Sequence, residues 1–554
     1  MRGFDYDAIV VGSGFGGAVS ACRLAEAGMR VCVLERGKRY PPGSFARTPL
    51  EMSRNFWDPS EGLHGLFDIW SFRGLEAVVA SGLGGGSLIY ANVLLRKDEK
   101  WFVKEDRRDG TYEHWPVSRA DLDPHYDAAE TMLGANTYPF EIPPYSETPK
   151  TLAMRDAARG LGVHWQLPNL AVSFGRPHPV PGEPIEEPDN LHGRRRFTCR
   201  LCGECDVGCN FGSKNTLDFN YLTVAHRHGA VLMDRCEMRR FERRAEGGFT
   251  VHYVSHPPEN EGIRVKPAGN PVEPLTCRVL VLSAGALGST YLMLKNRSAV
   301  PKVSSRLGTR FCGNGDLLGF VTGSRGRLLD PSNGPVITST MRVDDTVDGG
   351  SGRGFYLQDG GYPGFVNWIL ETSSLPNAVG RAARFVWTQL WSRLTEQPKS
   401  EIGAQLGALI GDSRLSAGTL PMLGMGRDMP DGTMRLRKGW LDVDWTTTTS
   451  KAFFARVREL MTEVARELDS ELQESPSKYL SRVVTVHPLG GCPMGRDDGE
   501  GVVDSYGEVF GYEGLFVADG SVMPGPTGPN PCLTIAALTE RFSARMIERS
   551  RPRG

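Results

Sequence analysis

Short apolar runs and helical patterns alternate at the start of the chain. Residues 7–11 are mostly apolar and β-branched and predict a strand, residues 18–28 predict a helix, and residues 29–34 predict a second strand. A strand, a helix and a strand in this order are typical of a βαβ unit with parallel strands. The pattern therefore predicts an α/β fold built on a parallel sheet.

Two later segments repeat this pattern. Residues 279–283 predict a strand followed by a helix over 287–294, and residues 514–519 predict a third such strand before a terminal helix over 534–548. At 554 residues the chain is also too long for one ordinary core. We therefore expect one discontinuous domain with a second domain inserted into it.

Glycines follow the first predicted strand at an informative spacing. Gly12, Gly14 and Gly17 occupy the three glycine positions of G-x-G-x-x-G, and Glu35 ends the second strand. The first glycine of this motif permits a tight turn, the second lets the backbone approach a pyrophosphate, and the third lets the helix pack on the strand. An acid placed like Glu35 accepts hydrogen bonds from ribose hydroxyls. A glycine-rich loop of an ordinary α/β domain is the alternative, but the combination favours an adenine dinucleotide.

Composition and charge argue against several classes of partner. The chain is 40% hydrophobic and 23% charged, with a net charge of -1, which gives no reason to expect nucleic acid or an anionic membrane. It has no apolar run long enough to predict a membrane span, and it starts almost at its first strand, so we expect no secretory signal. Eleven cysteines, an odd number, fit a reducing compartment, and the cytoplasm is the expected location.

Several motifs together resemble those of one known family. Their order along the chain is similar to that of the glucose–methanol–choline (GMC) oxidoreductases, and most of all to the bacterial cholesterol oxidase-like branch. The matching segments are 10–17, 82–87, 284–289, 487–492, 517–521 and 528–531. The resemblance spans nearly the whole chain and is far more specific than the first glycine motif alone.

The resemblance implies non-covalently bound FAD rather than a nicotinamide nucleotide. It implies an α/β fold with a discontinuous Rossmann-like FAD-binding domain over 1–130, 205–325 and 484–554. An α+β substrate domain over 131–204 and 326–483, with an antiparallel sheet covered by helices, is inserted into it.

The residues expected to contact the cofactor lie in the matching segments and close to them. They are Gly12, Ser13, Gly14, Phe15, Gly16, Gly17, Glu35, Gly86, Ser87, Asn92, Ala284, Asp519, Gly520, Asn530 and Pro531. A hairpin turn over 82–87 and a turn cap at Asp519 are the structural alternatives.

His487 and Asn530 are the residues expected at the reacting alcohol. Hydride transfer from the alcohol carbon to flavin N5 requires the hydroxyl proton to leave as the carbonyl forms. A neutral histidine accepts that proton or orients the hydroxyl, and an asparagine amide shares the hydrogen bond. In the family, a histidine and an asparagine or second histidine at these places face the flavin together. A purely structural histidine is the alternative.

The expected substrate is a bulky apolar alcohol, such as a sterol, whose secondary hydroxyl becomes a ketone. Similar enzymes that also isomerise the steroid double bond use a glutamate where alignment through Pro363 places Gln358. An amide cannot carry a proton between carbons, and Asp359 would point to the other face of a strand. These residues argue against isomerase activity and weaken the case for cholesterol itself.

Four cysteines form a separate motif. Cys199, Cys202, Cys205 and Cys209 have the spacing C-x2-C-x2-C-x3-C, which supplies thiolates to iron–sulfur clusters. Asn210 stands where ferredoxin-type runs have proline, and a zinc site or a loop of reduced, packed cysteines are the alternatives. A cluster would pass electrons to an external carrier. Without one, oxygen would reoxidise the flavin and form hydrogen peroxide.

The remaining alternatives concern partners and turnover. Trp387, Leu390, Trp391 and Leu394 recur at helical spacing, which is typical of a packed helix face and, alternatively, of peripheral contact with a membrane. The expected partners are a small apolar alcohol and oxygen or another electron acceptor. A GMC dehydrogenase acting on another alcohol and reducing a quinone or protein is the second hypothesis. A flavin-binding redox module without turnover is the third.

Overall fold

The computed structural model describes residues 3–105, 112–175, 177–186, 189–263, 270–324, 326–344, 353–362, 418–474 and 483–550. In these ranges the helices are α1 (Phe15–Glu26), α2 (Pro49–Ser53), α3 (Arg119–Met132), α4 (Pro149–Leu161), α5 (Tyr221–Arg227), α6 (Gly285–Lys295), α7 (Lys451–Glu467) and α8 (Cys532–Ser550). The predicted stripe from Trp387 to Leu394 lies outside the described residues.

The strands of the described ranges fall into one large parallel sheet, one antiparallel sheet and several small sheets. They are β1 (Tyr6–Val11), β2 (Val31–Leu34), β3 (Trp57–Asp58), β4 (Leu63–His64), β5 (Phe67–Phe72), β6 (Leu75–Ala80), β7 (Val93–Leu94), β8 (Val103–Glu105), β9 (Tyr112–His114), β10 (Asn136–Thr137), β11 (His164–Gln166), β12 (Asn169–Leu170), β13 (Val231–Met233), β14 (Cys236–Arg243), β15 (Phe249–Ser255), β16 (Val272–Leu282), β17 (Leu317–Thr322), β18 (Thr340–Val343), β19 (Phe355–Asp359), β20 (Leu420–Gly426), β21 (Thr433–Arg437), β22 (Trp440–Asp444), β23 (Glu471–Glu474), β24 (Val483–Thr485) and β25 (Leu515–Val517).

The parallel sheet brings the predicted cofactor segments to one edge. Its parallel strands lie in the order β13-β2-β1-β16-β25, and β15 and β14 continue it as antiparallel strands beside the first half of β16. Val11 is level with Leu34 and with Leu282, and Leu282 is level with Val517. The loops that follow these strands therefore leave the sheet side by side at its carboxyl edge, where α/β sheets bind ligands. The predicted Rossmann-like α/β fold is confirmed.

Helix α1 begins three residues before its predicted start. Gly16 and Gly17 belong to its first turn, and a Cβ atom at Gly16 would lie 1.5 Å from the carbonyl oxygen of Ala518. Only glycine lets the helix start this close to the loop after β25. The sequence pattern missed this turn because glycine is a poor helix former.

An antiparallel sheet stands apart from the parallel one. Its strand order is β11-β18-β19-β20-β17-β23, and α4 and α7 share a hydrophobic core with one of its faces. Phe355 and Leu357 of β19 point into this core, so the alternating residues Tyr356 and Gln358 point to the opposite face. Strand β17 belongs to this sheet although it lies within 205–325, and the predicted domain boundaries stay a prediction.

Candidate active site

The three motif glycines differ in the space around them. Gly12 has a φ of 95°, and a Cβ atom at Gly17 would lie 2.0 Å from the Gly12 carbonyl oxygen. The first glycine thus makes the turn and the third packs the helix against it. A Cβ atom at Gly14, in contrast, meets no protein atom within 4 Å. Gly14 therefore borders open space at the carboxyl edge of the sheet.

A second glycine loop closes the other side of this space. A Cβ atom at Gly85 would lie 2.6 Å from the Gly14 Cα atom, whereas one at Gly86 meets nothing within 4 Å. Ser87 braces the loop, because its hydroxyl donates to the Gly84 carbonyl at 2.7 Å and accepts the Leu217 N–H at 3.1 Å. Residues 82–87 are thus a loop on the open space and not a hairpin between two strands.

Glu35 is buried and bonded to the glycine loop. The N–H and the hydroxyl of Ser13 donate to Oε2 at 3.0 and 2.6 Å, and the Gly37 N–H donates to Oε1 at 2.9 Å. Burial raises the pKa of Glu35, and these hydrogen bonds oppose that shift. A carboxylate accepts about four hydrogen bonds, so about one acceptor position remains for a ribose hydroxyl.

The loops after β16 and β25 are joined through Asp519. The Ser289 hydroxyl donates to Oδ2 of this carboxylate, and the Ser521 N–H donates to Oδ1 at 2.8 Å. Ser289 also accepts the Ala284 N–H at 2.9 Å. Burial raises the pKa of Asp519. The next residue, Gly520, bonds to another matching segment: its carbonyl accepts the Gly490 N–H at 3.0 Å.

His487 is oriented by a carboxylate that the sequence reasoning did not find. Its Nδ1 lies 2.8 Å from Oδ1 of Asp316, and the other oxygen of Asp316 accepts the Val486 N–H at 3.0 Å. A carboxylate only accepts, so this pairing places the proton on Nδ1 and leaves Nε2 as an acceptor. The described residues provide no hydrogen-bond partner for Nε2.

Asn530 is held from two sides. The Asn314 side chain binds its loop, donating to the Pro529 carbonyl at 3.1 Å and accepting the Gly528 N–H at 3.0 Å. The Gln358 Nε2 amide donates to Oδ1 of Asn530 at 2.9 Å. This bond fixes the amide orientation of Asn530 and leaves its Nδ2 as a donor, for which the described residues provide no acceptor.

The turn over residues 313–316 links both candidate catalytic residues. Asn314 binds the loop of Asn530, and Asp316, two residues later, binds His487. Asp428 holds the turn in place, because its Oδ2 atom accepts the Gly313 N–H at 2.8 Å. The structure therefore brings the imidazole and the carboxamide to a common backbone support.

Two protein-family models match parts of this chain. The family model for GMC oxidoreductase matches residues 422–539, and the model for an NAD(P)-binding Rossmann-like domain matches residues 10–49. A cholesterol oxidase of Mycobacterium tuberculosis is 30% identical over 551 residues, covering 98% of this chain and 91% of the relative. The chain belongs to the GMC oxidoreductase family. It is an oxidoreductase of the cholesterol oxidase-like branch that acts on CH–OH donors.

Other similar proteins agree with this assignment. A cholesterol oxidase of Acinetobacter baumannii is 28% identical and covers 98% of this chain and 94% of the relative. A long-chain-alcohol oxidase of Arabidopsis thaliana is 22% identical, covering 98% of this chain and 67% of the relative. The crystal structure of pyridoxine 4-oxidase from Mesorbium loti shares the fold, with a TM-score of 0.57, 16% identity, and coverage of 97% of this chain and 98% of that one.

FAD is the cofactor typical of the GMC family, and the residues of the open space suit it. Asn92 is fully buried with a φ of 69°, and the described part of the chain offers no hydrogen-bond partner to either polar atom of its side-chain amide. Burying an amide without a partner is costly, so a bound polar group is expected to supply the missing bonds. Phe15 packs edge-on against Tyr90 at 5.5 Å, and the Pro531 carbonyl accepts the Ile535 N–H in α8.

Hydrogen bonds hold Asp359 in the protein interior. Its carboxylate is fully buried, accepts from Lys150 Nζ at 2.6 Å, and also accepts the Ser339 N–H at 2.6 Å. Lys150 lies in α4, on the face of the sheet opposite to Gln358. Asp359 and Gln358 therefore point to opposite faces of the sheet, as expected.

The four motif cysteines lie together beside this site. Cys199, Cys202, Cys205 and Cys209 line one cavity, and all are free thiols. Within the described ranges, no three His, Cys, Asp or Glu side chains form a site for a single metal ion. In the same ranges, no helix is both long and apolar enough to cross a membrane.

Proposed function

We propose that this protein oxidises a secondary hydroxyl of a bulky apolar molecule to a ketone, with His487 and Asn530 at the reacting oxygen and FAD bound non-covalently. When bound, FAD supplies the hydride acceptor, N5. The observation that carries the proposal is the turn over 313–316, which supports the Asp316–His487 pair and the Asn530 loop together. Two polar groups held by one turn keep a fixed separation.

The two side chains have complementary tasks. The free Nε2 of His487 accepts the hydroxyl proton, and Asp316 stabilises the positive charge that then forms on the ring. The Asn530 Nδ2 donates to the alcohol oxygen and stabilises the negative charge that develops as the proton leaves. Gln358 keeps Asn530 in the orientation that presents this donor.

One face of the antiparallel sheet favours an apolar substrate over a polar one. Its face on the side of Gln358 carries Tyr356 and Met425, which cluster with Trp101, while Leu423 lies opposite Gln358 in the strand register. An apolar surface with few polar groups is typical of sites for apolar ligands. The substrates named for the cholesterol oxidase and long-chain-alcohol oxidase relatives are apolar alcohols as well. We therefore favour sterols and long-chain alcohols over sugars.

Anaerobic mixing tests this proposal. The purified protein, with its FAD content measured, is mixed with sterols, long-chain alcohols and sugars while the flavin absorbance is followed. We expect sterols or long-chain alcohols to bleach the flavin and sugars to leave it oxidised. Loss of His487 in His487→Ala should slow bleaching about 10²- to 10⁴-fold with FAD retained, whereas the exposed His228→Ala control should match the parent.

Two results would overturn the proposal. One is a FAD-loaded protein that no member of the panel reduces. The other is a His487→Ala variant that is reduced at the parental rate. The cytoplasm remains the location we propose, and fractionation of cells that express the untagged chain tests it.

A further inference from the structure

The loop that carries Asn530 is bound at its start by a buried lysine. Lys97 is fully buried, and its Nζ donates to the Pro526 carbonyl at 2.9 Å and to the Thr527 carbonyl at 3.2 Å. Asn314 holds the next two residues of the loop, as described above. Lys97 is thus a second support of this loop, at the end away from Asn530.

Keeping this amino group inside the protein is costly. Within the part of the chain that the structure describes, only carbonyl oxygens accept its hydrogen bonds, and the centre of the Trp115 ring lies 4.5 Å from Nζ. Burial lowers the pKa of Lys97 well below its ordinary value, and the charge of Arg427 adds to this shift. Both the ammonium group and the neutral amine have at least two N–H groups, so either form can donate to both carbonyls. A methionine of similar shape would avoid the desolvation cost, so the two hydrogen bonds are what the lysine adds.

Internal contacts carry the position of the start of the loop to Asn530. The Thr527 hydroxyl donates to the Pro529 carbonyl at 2.7 Å, and Pro529 directly precedes Asn530. Gly528 has a φ of 91°, and a Cβ atom there would lie 2.2 Å from the Trp101 ring. The loop is therefore bonded within itself and packed against a buried ring, so a shift at Thr527 displaces Asn530 as well.

One short segment joins Lys97 to the cofactor space. It begins at Asn92, whose buried amide borders that space, and ends at Lys97 five residues later. Between them, the Val93 carbonyl accepts the Cys532 thiol at 3.3 Å, just beyond Asn530. This segment therefore contacts the Asn530 loop on both sides of Asn530 and fixes it relative to the cofactor space.

We propose that Lys97 is a positioning residue, which holds the Asn530 Nδ2 donor at the reacting alcohol oxygen through the carbonyls of Pro526 and Thr527. The inference rests on the role proposed above for Asn530. The protein alone already buries Lys97 completely, so no bound alcohol can touch it. Lys97 acts through the loop.

Hydrogen exchange tests the contact without any substrate. Lys97→Met removes both donors and keeps an unbranched apolar side chain, and the exposed Lys302→Met is the control. Both variants and the parent, with FAD contents measured, are compared by peptide mass spectrometry over residues 524–531. The Gly528 N–H donates to Oδ1 of Asn314. We expect it to exchange about 10-fold faster or more in Lys97→Met and at the parental rate in the control. Unchanged exchange in Lys97→Met overturns the proposal.

A double-mutant cycle separates positioning from a general effect on the fold. At saturating alcohol, Lys97→Met should slow flavin reduction about 10- to 100-fold with FAD content unchanged, as a small misplacement of a reacting group does. In the Asn530→Ala background the same substitution should have no further effect, because no carboxamide is left to misplace. In the His487→Ala background the slowing should persist.

A second variant keeps the test open if Lys97→Met does not fold. Lys97→Gln retains an NH₂ donor, so it should change both measurements less than Lys97→Met, and the cycle can be run with it instead. Equal slowing in the parent and in Asn530→Ala would show that Lys97 does not act through Asn530 and would overturn the proposal. If no alcohol reduces the FAD-loaded parent, the function proposed above fails, and with it the task of Lys97 at the alcohol. Faster exchange in Lys97→Met would then still establish that Lys97 holds the loop.

Discussion

Gln358 donates a hydrogen bond from Nε2 to Oδ1 of Asn530 at 2.9 Å, across 172 positions of the chain. The Oε1 atom of the same amide is buried, and none of the residues that the structure describes gives it a hydrogen-bond partner. Gln358 is therefore bonded directly to one of the two candidate catalytic residues. Through Nε2 it is a donor that fixes the amide orientation of Asn530.

Replacing this donor by an acid predicts a pH-dependent enzyme. In Gln358→Glu the ionised carboxylate cannot donate to Asn530 Oδ1, but the protonated acid can. We expect kcat/KM to fall about 10- to 100-fold above the pKa of the new acid, as for a lost buried hydrogen bond, and to recover on acidification. The pH profile of alcohol-driven flavin reduction, compared with the parent, measures this.

The control for this variant is Gln473→Glu, an exposed glutamine on β23. It should leave the profile unchanged. A Gln358→Glu enzyme that is as active as the parent from acid to alkaline pH would show that Gln358 does not orient Asn530.

Gln358 also predicts the product formed from a sterol. Because an amide cannot carry a proton between carbons, the parent should release the unconjugated ketone. Absorbance of the product distinguishes this ketone from the conjugated one.

Asp316→Asn should move the imidazole proton of His487 from Nδ1 to Nε2. The oxygen of the new amide would stay with the Val486 N–H, which needs an acceptor, so the NH₂ group of that amide would face Nδ1. His487 would then carry its proton on Nε2 and could not accept one from an alcohol. We expect kcat to fall about 10²- to 10⁴-fold with FAD content and fold intact.

Asp344→Asn is the matched control, since its side chain is 99% exposed. Stopped-flow reduction of the flavin by a fixed alcohol compares the three proteins. A rate for Asp316→Asn within about twofold of the parent would remove Asp316 from the mechanism. Such a result would also leave the tautomer of His487 unassigned.

The fold and the site were accessible from sequence to different degrees. The strands around Gly12 and Asp519 follow from local apolar runs, and the motif glycines are recognisable by their spacing, so both could be predicted. Asp316 lies 171 positions from His487, and nothing near either residue indicates the other. Asn314, likewise, has no local pattern that predicts its bonds to the Asn530 loop. Contacts of this kind depend on how two sheets pack, which periodicity does not encode.

Gly14 and Gly17 predict opposite consequences of the same substitution. A Cβ atom at Gly14 meets no protein atom within 4 Å, whereas one at Gly17 would lie 2.0 Å from a carbonyl oxygen. Gly14→Ala should therefore leave the apoprotein's melting temperature nearly unchanged and weaken FAD binding, because the methyl group enters the cofactor space. Gly17→Ala should destabilise the fold itself.

Two measurements distinguish these effects. The melting temperature of the flavin-free protein reports the fold, and FAD titration followed by fluorescence quenching reports the site. We expect an increase in the FAD dissociation constant of at least 10-fold for Gly14→Ala. Unchanged FAD affinity in that variant would mean that the space beside Gly14 is not where the nucleotide lies.

The buried carboxyl group beneath the turn over 313–316 predicts a pH dependence of stability. Burial raises the pKa of Asp428 to about 7, although the N–H groups of Gly313 and Gly315 donate to it. In the unfolded chain an aspartate titrates near about 4. Between these values the folded protein keeps a proton that the unfolded chain has lost, so this group's contribution to stability falls as pH rises from about 4 to about 7.

Asp428→Asn removes that titration and keeps an oxygen for the Gly313 N–H. We therefore expect its melting temperature, relative to the parent's, to be lowest near pH 4.5 and to rise through pH 7.5. The exposed Asp498→Asn variant should show a constant difference over the same range. If the Asp428→Asn difference is also constant, the carboxyl group is ionised throughout, and the turn that supports His487 and Asn530 rests on a charged anchor. In that case the negative charge of Asp428 needs a compensating cation, and Arg353 is a candidate because its charge opposes the rise in the pKa of Asp428.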